Sequence, residues 1–334
     1  MNASVLKDKF LLLKNKIADT FSTPQKKKIF FSKIIMFIVH TLKYILMIGL
    51  AFVIVYPLLL QLAVAFREPT DVNNPMVLWI PSKLSVQNFQ IAIIALEYWQ
   101  ALGYTAFISL GVTLLQLFST SIAGYAFARL KFKGSGLLFG LALFTIIVPQ
   151  TMISLPMYID FSDRGLIGQP FVLFLMAGLG MGIKSGMFIY LFRQFFKGIP
   201  VELEEAAYVD GASAFGVFFR VMLPNVRSGI ITVALLAFVW QWNDYYFTNL
   251  FVVGRNVDII TLATKQQSII YGLQQAISEA GIWQLMDKDV TSNPLFTSMI
   301  LNTAGILVMI PVLIMYFFMQ KLFVEGIERS GIVG

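Results

Sequence analysis

Six long apolar runs punctuate the chain, bounded by His40 to Phe66, Gly103 to Ala128, Leu137 to Tyr158, Phe171 to Phe195, Ser228 to Val253 and Phe296 to Leu322. Each reaches the roughly 20 mostly apolar residues that a helix needs to cross a bilayer. The pattern predicts an all-α, polytopic membrane protein with six transmembrane helices. It divides the chain into a basic N-terminal extension, residues 1–39, and a membrane domain, residues 40–334. Two connections stand out: residues 197–227 between the fourth and fifth runs, and residues 254–294 between the fifth and sixth.

Composition agrees with this and excludes an ordinary soluble enzyme. Of 334 residues, 57% are hydrophobic and 13% charged, against roughly 45–50% and about 25% in soluble domains, and the mean hydropathy is +0.76. The absence of Cys removes disulfides and thiol chemistry, and a single histidine, His40, removes most metal and triad chemistry. Asp287-Lys288-Asp289 lacks the glycine and the terminal acid of a calcium loop, so no metal site is expected.

The net charge of +7 would suggest nucleic acid in a soluble protein, but the basic residues lie in segments between apolar runs, where they set orientation. With the N-terminus inside, eighteen Lys and Arg fall on the cytoplasmic side and six outside, while Lys184 falls within the fourth span. Both termini are therefore expected in the cytoplasm, and no nucleic-acid partner is expected. The first run exceeds the roughly 15 residues of a signal core, so it reads as a retained span. Before it, Leu6, Phe10, Leu13 and Ile17 repeat at helical spacing opposite Lys7, Lys9, Lys14 and Lys16. This fits either an interfacial helix or a solvated basic tail.

The inward connection carries the most specific signal. Pro200 suits a first helical position, Glu202, Glu204 and Glu205 place negative charge at the positive end of a helix, and Gly211 permits a left-handed stop. Ala206, Ala207 and Ala212 are small enough for another surface to approach closely. A second apolar helical stretch, Ala214 to Leu223, ends at Pro224. Such a helix-turn-helix can dock into a partner's cleft.

Glu205-Ala206-Ala207, Gly211, and after nine residues Val221-Met222-Leu223-Pro224, resemble the EAA loop of permease subunits of binding-protein-dependent ABC importers. Asp210-Gly211-Ala212, Trp242-Asn243-Asp244 and the ending Phe323-Val324-Glu325-Gly326 are similar to the carbohydrate-importing branch and its maltose-type second permease. The likeness covers roughly Leu46 to Gly334. It departs from the pattern in the long basic N-terminus, the extended outer loop and Lys184, so no one relative's substrate is carried over.

The resemblance implies a type I ABC importer transmembrane domain in a prokaryotic cell membrane, working by alternating access. Its implied partners are a second permease, two cytoplasmic ATPase subunits, an extracytoplasmic sugar-binding protein, a carbohydrate and membrane lipid. Glu205, Ala206, Ala207, Asp210, Gly211, Ala212, Leu223 and Pro224 would then form the ATPase-coupling site. ATP and magnesium belong to the ATPases. The chain itself has no phosphate-binding G-x-x-x-x-G-K-[ST] loop, so no cofactor and no enzyme activity are expected of it. An ATP-independent carrier or channel would explain six spans but not the loop, and an intramembrane enzyme would need paired acids or a nucleophile with a base.

Polar side chains within spans are costly and mark packing partners or a cavity. Gln116, Gln150, Lys184, Trp242, Asn243, Asp244 and Asn302 are the candidates for a substrate path. Aromatic faces at Trp240, Trp242, Tyr245 and Tyr246 beside hydrogen-bonding groups suit sugar rings, or alternatively an interfacial belt. Trp242 and Asp244 are separated by about 200° on an ideal helix, so at least one of them, not necessarily both, is expected on the path. Lys184 is expected to pair with Asp160 or Asp163, and the glycines at 178, 180 and 182 to permit helix contact.

Overall fold

The computed structural model describes residues 23–69, 71, 80–256, 258–282 and 293–331, and of residues 26, 150 and 322–331 it describes the backbone alone. The expected interfacial helix around Leu6 to Ile17 and the stretch Asp287 to Asp289 lie outside the described residues. The chain divides into two compact units, one ending at Leu62 and the other beginning at Ala63.

The first unit is described from Thr23 and consists of most of α1, Pro24–Ala65. This 42-residue helix begins well before His40, where the apolar run was expected to start, because Ile29 to Val39 continues the run with only Ser32 and Lys33 interrupting it. At about 1.5 Å per residue it is roughly twice as long as a bilayer core is thick. Its apolar side chains, Phe37 and Ile48 among them, are exposed.

In the second unit, α2 (Gln87–Ala95) precedes the long α3 (Tyr98–Arg129). Next come α4 (Ser135–Ile147), α5 (Gln150–Asp163), α6 (Phe171–Gly178) and α7 (Ser185–Lys197). Two short helices follow, α8 (Val201–Val209) and α9 (Ala214–Asn225), the second with a π-turn at Phe218–Met222. The unit ends with α10 (Arg227–Trp242), α11 (Leu262–Glu279) and α12 (Pro294–Gly331).

Helix α3 is the hub, packed by α6, α7 and α10. Its inner stripe is polar, and three of its hydroxyls are satisfied within the helix: those of Thr105, Thr113 and Thr120 donate to carbonyls four residues back at 2.6, 2.6 and 2.5 Å. Small and hydroxyl side chains allow close approach where lipid supplies no hydrophobic drive between helices. At Gly124 the approach is closest, since a methyl group there would lie 2.5 Å from Phe192 Cβ and 3.0 Å from the backbone N of Arg193. From α7, Phe188, Phe192 and Phe196 at successive helical turns bury fully against α3, α9 and α10.

Among the described residues, α1, α3 and α12 are each long and apolar enough to cross a membrane. Two further candidates are bent pairs: α4 with α5, turned by 104°, and α9 with α10, turned by 80°. The expected third span, Leu137 to Tyr158, is therefore broken at Val148-Pro149, where proline disfavours helical geometry in the residue before it. The expected fourth span is also discontinuous. Between α6 and α7 the backbone turns through Gly180, at φ +72°, and Lys184, at φ +61°. The fifth, Ser228 to Val253, stops at Trp242 and restarts as a helical turn, Tyr246–Thr248, leading into a π-turn, Asn249–Val253.

Candidate functional site

Two neighbourhoods gather the expected residues. The first is α8 and its turn. Helix α8 is held down by one acid: Glu204 is buried, accepts a hydrogen bond from the Tyr125 hydroxyl at 2.7 Å, and pairs with Arg129 Nε at 3.4 Å. The Arg129 guanidinium also donates to the carbonyl of Phe196 at 2.9 Å and to that of Ile199, at the end of α7. One residue on, Glu205 faces solvent with Ala206, while Ala207 is half-buried.

The turn beyond α8 is built on Gly211, at φ +82°, a conformation in which a Cβ is strained. Ser213 then caps α9 by accepting from the N–H of Gly216 at 3.2 Å. Asp210 and Gly211 are exposed, Ala212 is half-buried, and Leu223 and Pro224 lie near the end of α9. Val201, Leu203, Val209, Phe215 and Phe219 expose large apolar surfaces around this turn. The arrangement is a short lever: pinned inside by a buried acid, apolar and acidic outside.

The second neighbourhood is a cavity of about 790 Å³ at the three helix breaks. It is lined by the end of α4, the start of α5, residues 180–186 and residues from Trp240 to Phe247. Lys184, Asn243 and Asp244 line it, together with Trp240, Tyr245 and Tyr246. Lys184 does not pair with Asp160, which instead binds Arg164 at 2.9 Å; its ammonium lies 4.9 Å from the centre of the Trp240 ring. Six residues separate α6 from α7, and the turn among them aims the lysine at the ring instead of at the outer acids.

Asp244 is buried and caps the helical restart, accepting from the N–H groups of Phe247 and Thr248 at 3.2 and 2.8 Å and from the Thr248 hydroxyl at 2.8 Å. The Asn243 amide donates to the carbonyl of Val239 at 2.8 Å. Tyr246 shares a hydrogen bond of 2.7 Å with Ser154.

Of the other expected path residues, Trp242, Gln116 and Asn302 are not among the lining residues. Trp242 is buried away from the cavity and donates to the Val308 carbonyl on α12 at 3.1 Å. Gln116 is buried, donating to the Ile183 carbonyl at 2.7 Å and the Ser185 hydroxyl at 2.9 Å, and so ties α3 to the break before α7. Gln150 opens α5, its side chain lying outside the described residues. Asn302 lies half-buried on α12 and is not among the lining residues. Among the described residues no cluster of acids or histidine is arranged to hold a metal ion.

Residues 117–329, which include both neighbourhoods, match the family described as binding-protein-dependent transport system inner membrane component. The chain belongs to that family. It is 29% identical to the arabinooligosaccharides transport system permease protein AraQ of Halalkalibacterium halodurans, over 88% of this chain and 97% of the relative. It is 26% identical to the probable starch degradation products transport system permease protein AmyC of Thermoanaerobacterium thermosulfurigenes, over 88% and 98%. To the maltodextrin transport system permease protein MdxG of Bacillus subtilis it is 28% identical, over 87% and 95%.

A solved bacterial ABC transporter, involved in the import of the acidic polysaccharide alginate, contains a chain of similar fold. Its TM-score is 0.69 at 22% identity, covering 86% of this chain and 96% of that one. The chain thus has the type I ABC importer transmembrane fold and is a membrane component of an ABC transport system whose ATPase resides on separate subunits. Family membership implies ATPase and binding-protein partners.

Sequence reasoning missed the anchor of α8. Glu204 was one of three acids at a helix start, and nothing local distinguishes it. Its partners Tyr125 and Arg129, four residues apart at the end of α3, carry the signal, because an arginine and a tyrosine on one face at a helix end invite an acid.

Proposed function

We propose that the chain is one permease of a pair in an ATP-driven importer of carbohydrate, an oligosaccharide or a glycan-derived sugar. In this reading the chain crosses the membrane six times with both termini in the cytoplasm, residues 197–227 couple to two ATPase subunits that hold ATP and magnesium, and a second permease completes the path. A sugar-binding protein delivers substrate on the outer side, where residues 254–294 lie. The carbohydrate class is supported by the oligosaccharide permeases to which the chain is similar.

The observation that carries the coupling role is the contrast between Glu204 and Glu205, adjacent acids of which one is buried on α3 and the other exposed beside Ala206 and Gly211. A rigidly seated helix with an exposed apolar and acidic surface suits docking to a basic cleft. ATP-driven closure of the ATPases would move that helix and turn the cavity from inward-facing to outward-facing; hydrolysis would reset it.

The test is sugar uptake and ATPase retention in complexes carrying Glu205→Lys or Gly211→Leu. Loss of ATPase retention, or ATP hydrolysis without uptake, at unchanged membrane level is expected. Wild-type transport and retention in both variants would reject the coupling assignment, and uptake by the chain alone without ATP would return it to the class of carriers and channels.

A further inference from the structure

The cavity contains a cation that, among the described residues, no carboxylate neutralises. Only Lys184 and Asp244 are charged among its described lining residues. Asp244 directs its oxygens to the N–H groups of Phe247 and Thr248 and to the Thr248 hydroxyl, so its charge is spent on the helical restart. The Lys184 ammonium meets the face of Trp240 at 4.9 Å. A ring face attracts a cation but leaves the donors of the ammonium available to an acceptor.

Lysine is an unfavourable choice at this position on two counts. Its φ of +61° is disfavoured by the Cβ, and glycine stands at 178, 180 and 182 in the same segment. A charge within a membrane span is costly as well. Glycine at 184 would relieve both penalties without changing the turn. Strained backbone and an intramembrane charge at one residue point to a role in the site, since each persists only where something else requires it.

We propose that the cavity takes oligosaccharides bearing carboxylates, uronic-acid units, with the Lys184 ammonium holding the carboxylate and the Trp240, Tyr245 and Tyr246 rings facing the sugar. Neutral hydroxyls are served by groups that both donate and accept, such as Tyr246 on the cavity wall; an ammonium offers donors alone and selects an anion. Aromatic faces supply the apolar contact that a sugar ring needs. The volume, about 790 Å³, lies within the roughly 300–1,000 Å³ of organic-ligand pockets, which suits a stretch of oligosaccharide more than a small anion.

This inference rests on the carbohydrate reading above, and the test separates the two. The complex, purified with its partner subunits and binding protein and reconstituted in vesicles, is given oligogalacturonates, oligomannuronates, maltodextrins and arabinooligosaccharides. Wild-type complex should import an acidic oligomer. Lys184→Gly, which keeps the turn, should lower that uptake about tenfold or more, as loss of a charged hydrogen bond does, and Lys184→Arg should retain most of it.

Equal uptake of the acidic oligomer by wild type and Lys184→Gly would overturn the role of Lys184. Import of neutral oligosaccharides alone would overturn the acidic class and leave the carbohydrate reading standing. Import of neither kind would overturn the carbohydrate reading and this inference with it.

Discussion

The carboxylate of Glu204 and the hydroxyl of Tyr125, 79 residues apart in sequence, meet at 2.7 Å where α8 sits on α3. With Arg129 at 3.4 Å, they make the polar joint between α8 and α3, and the same arginine holds the end of α7. A load applied to the exposed face of α8 therefore reaches two spans through one buried acid. Such a joint resists opening because separating a buried charge from its partners costs about 3–5 kcal/mol.

Breaking that joint should uncouple the protein without stripping its docking face. Tyr125→Phe leaves the buried carboxylate one donor short, at about 1–3 kcal/mol, and Glu204→Gln removes the ion pair. Each should lower sugar imported per ATP hydrolysed while the ATPases stay bound, because Glu205, Ala206 and Gly211 are untouched. The double variant should fall short of the sum of the singles, as expected for contacting residues. Unchanged transport stoichiometry in both singles would show that α8 transmits motion by another route.

Trp242 should prove a stability residue. Its indole is buried with α2, α11 and α12 and donates to Val308, away from the cavity. Trp242→Phe should cost about 0.5–1.5 kcal/mol for the lost hydrogen bond, and Trp242→Ala about 3–5 kcal/mol for the space left behind. Both would appear as a lower unfolding temperature in detergent, with uptake per folded complex unchanged. A fall in uptake at wild-type thermal stability would put the indole on the path instead.

A side chain at Gly124 should block the seat of α7 on α3. The atoms that a Cβ would meet are Phe192 Cβ and the backbone N of Arg193, neither of which can rotate away. Overpacking of this sort costs about 1–3 kcal/mol or more, so Gly124→Val should reduce membrane level. Gly136→Val, at a position with open space around it, is the control and should accumulate normally.

What was legible in the sequence follows from how local each signal is. The left-handed position of Gly211 and the end of α8 are written in neighbouring residues, and the structure has them. The apolar runs mark where helices lie but not where they break. Val148-Pro149 and the glycine-spaced segment before Lys184 bend or interrupt spans that hydropathy reads as continuous. The partner of Lys184 was sought among nearby acids, whereas it is Trp240, brought in by the packing of separate spans. For Trp242 and Asp244 an ideal-helix angle does not apply, because α10 ends at Trp242; the indole lies in the core and the acid lines the cavity.

The outer connection should bear on the binding protein through α11. The helix begins at Leu262, because Thr261 accepts from the N–H of Thr264 while Thr264 reaches back to the N–H of Thr261. Ile269, Leu273, Ala276 and Ile277 bury in a core shared with α2 and α12, whereas Tyr271 is 92% exposed and Ile270 half exposed. An exposed tyrosine on a firmly seated helix has the character of an interface anchor. Tyr271→Ala removes nothing that the fold uses, so its effect on stability should stay within about 0.5 kcal/mol. It should raise several-fold the concentration of loaded binding protein needed to stimulate ATP hydrolysis, with basal hydrolysis unaltered. Leu273→Ala, by contrast, should lower thermal stability by about 2–5 kcal/mol. An unchanged concentration dependence in Tyr271→Ala would place the binding protein's contact elsewhere on the outer surface.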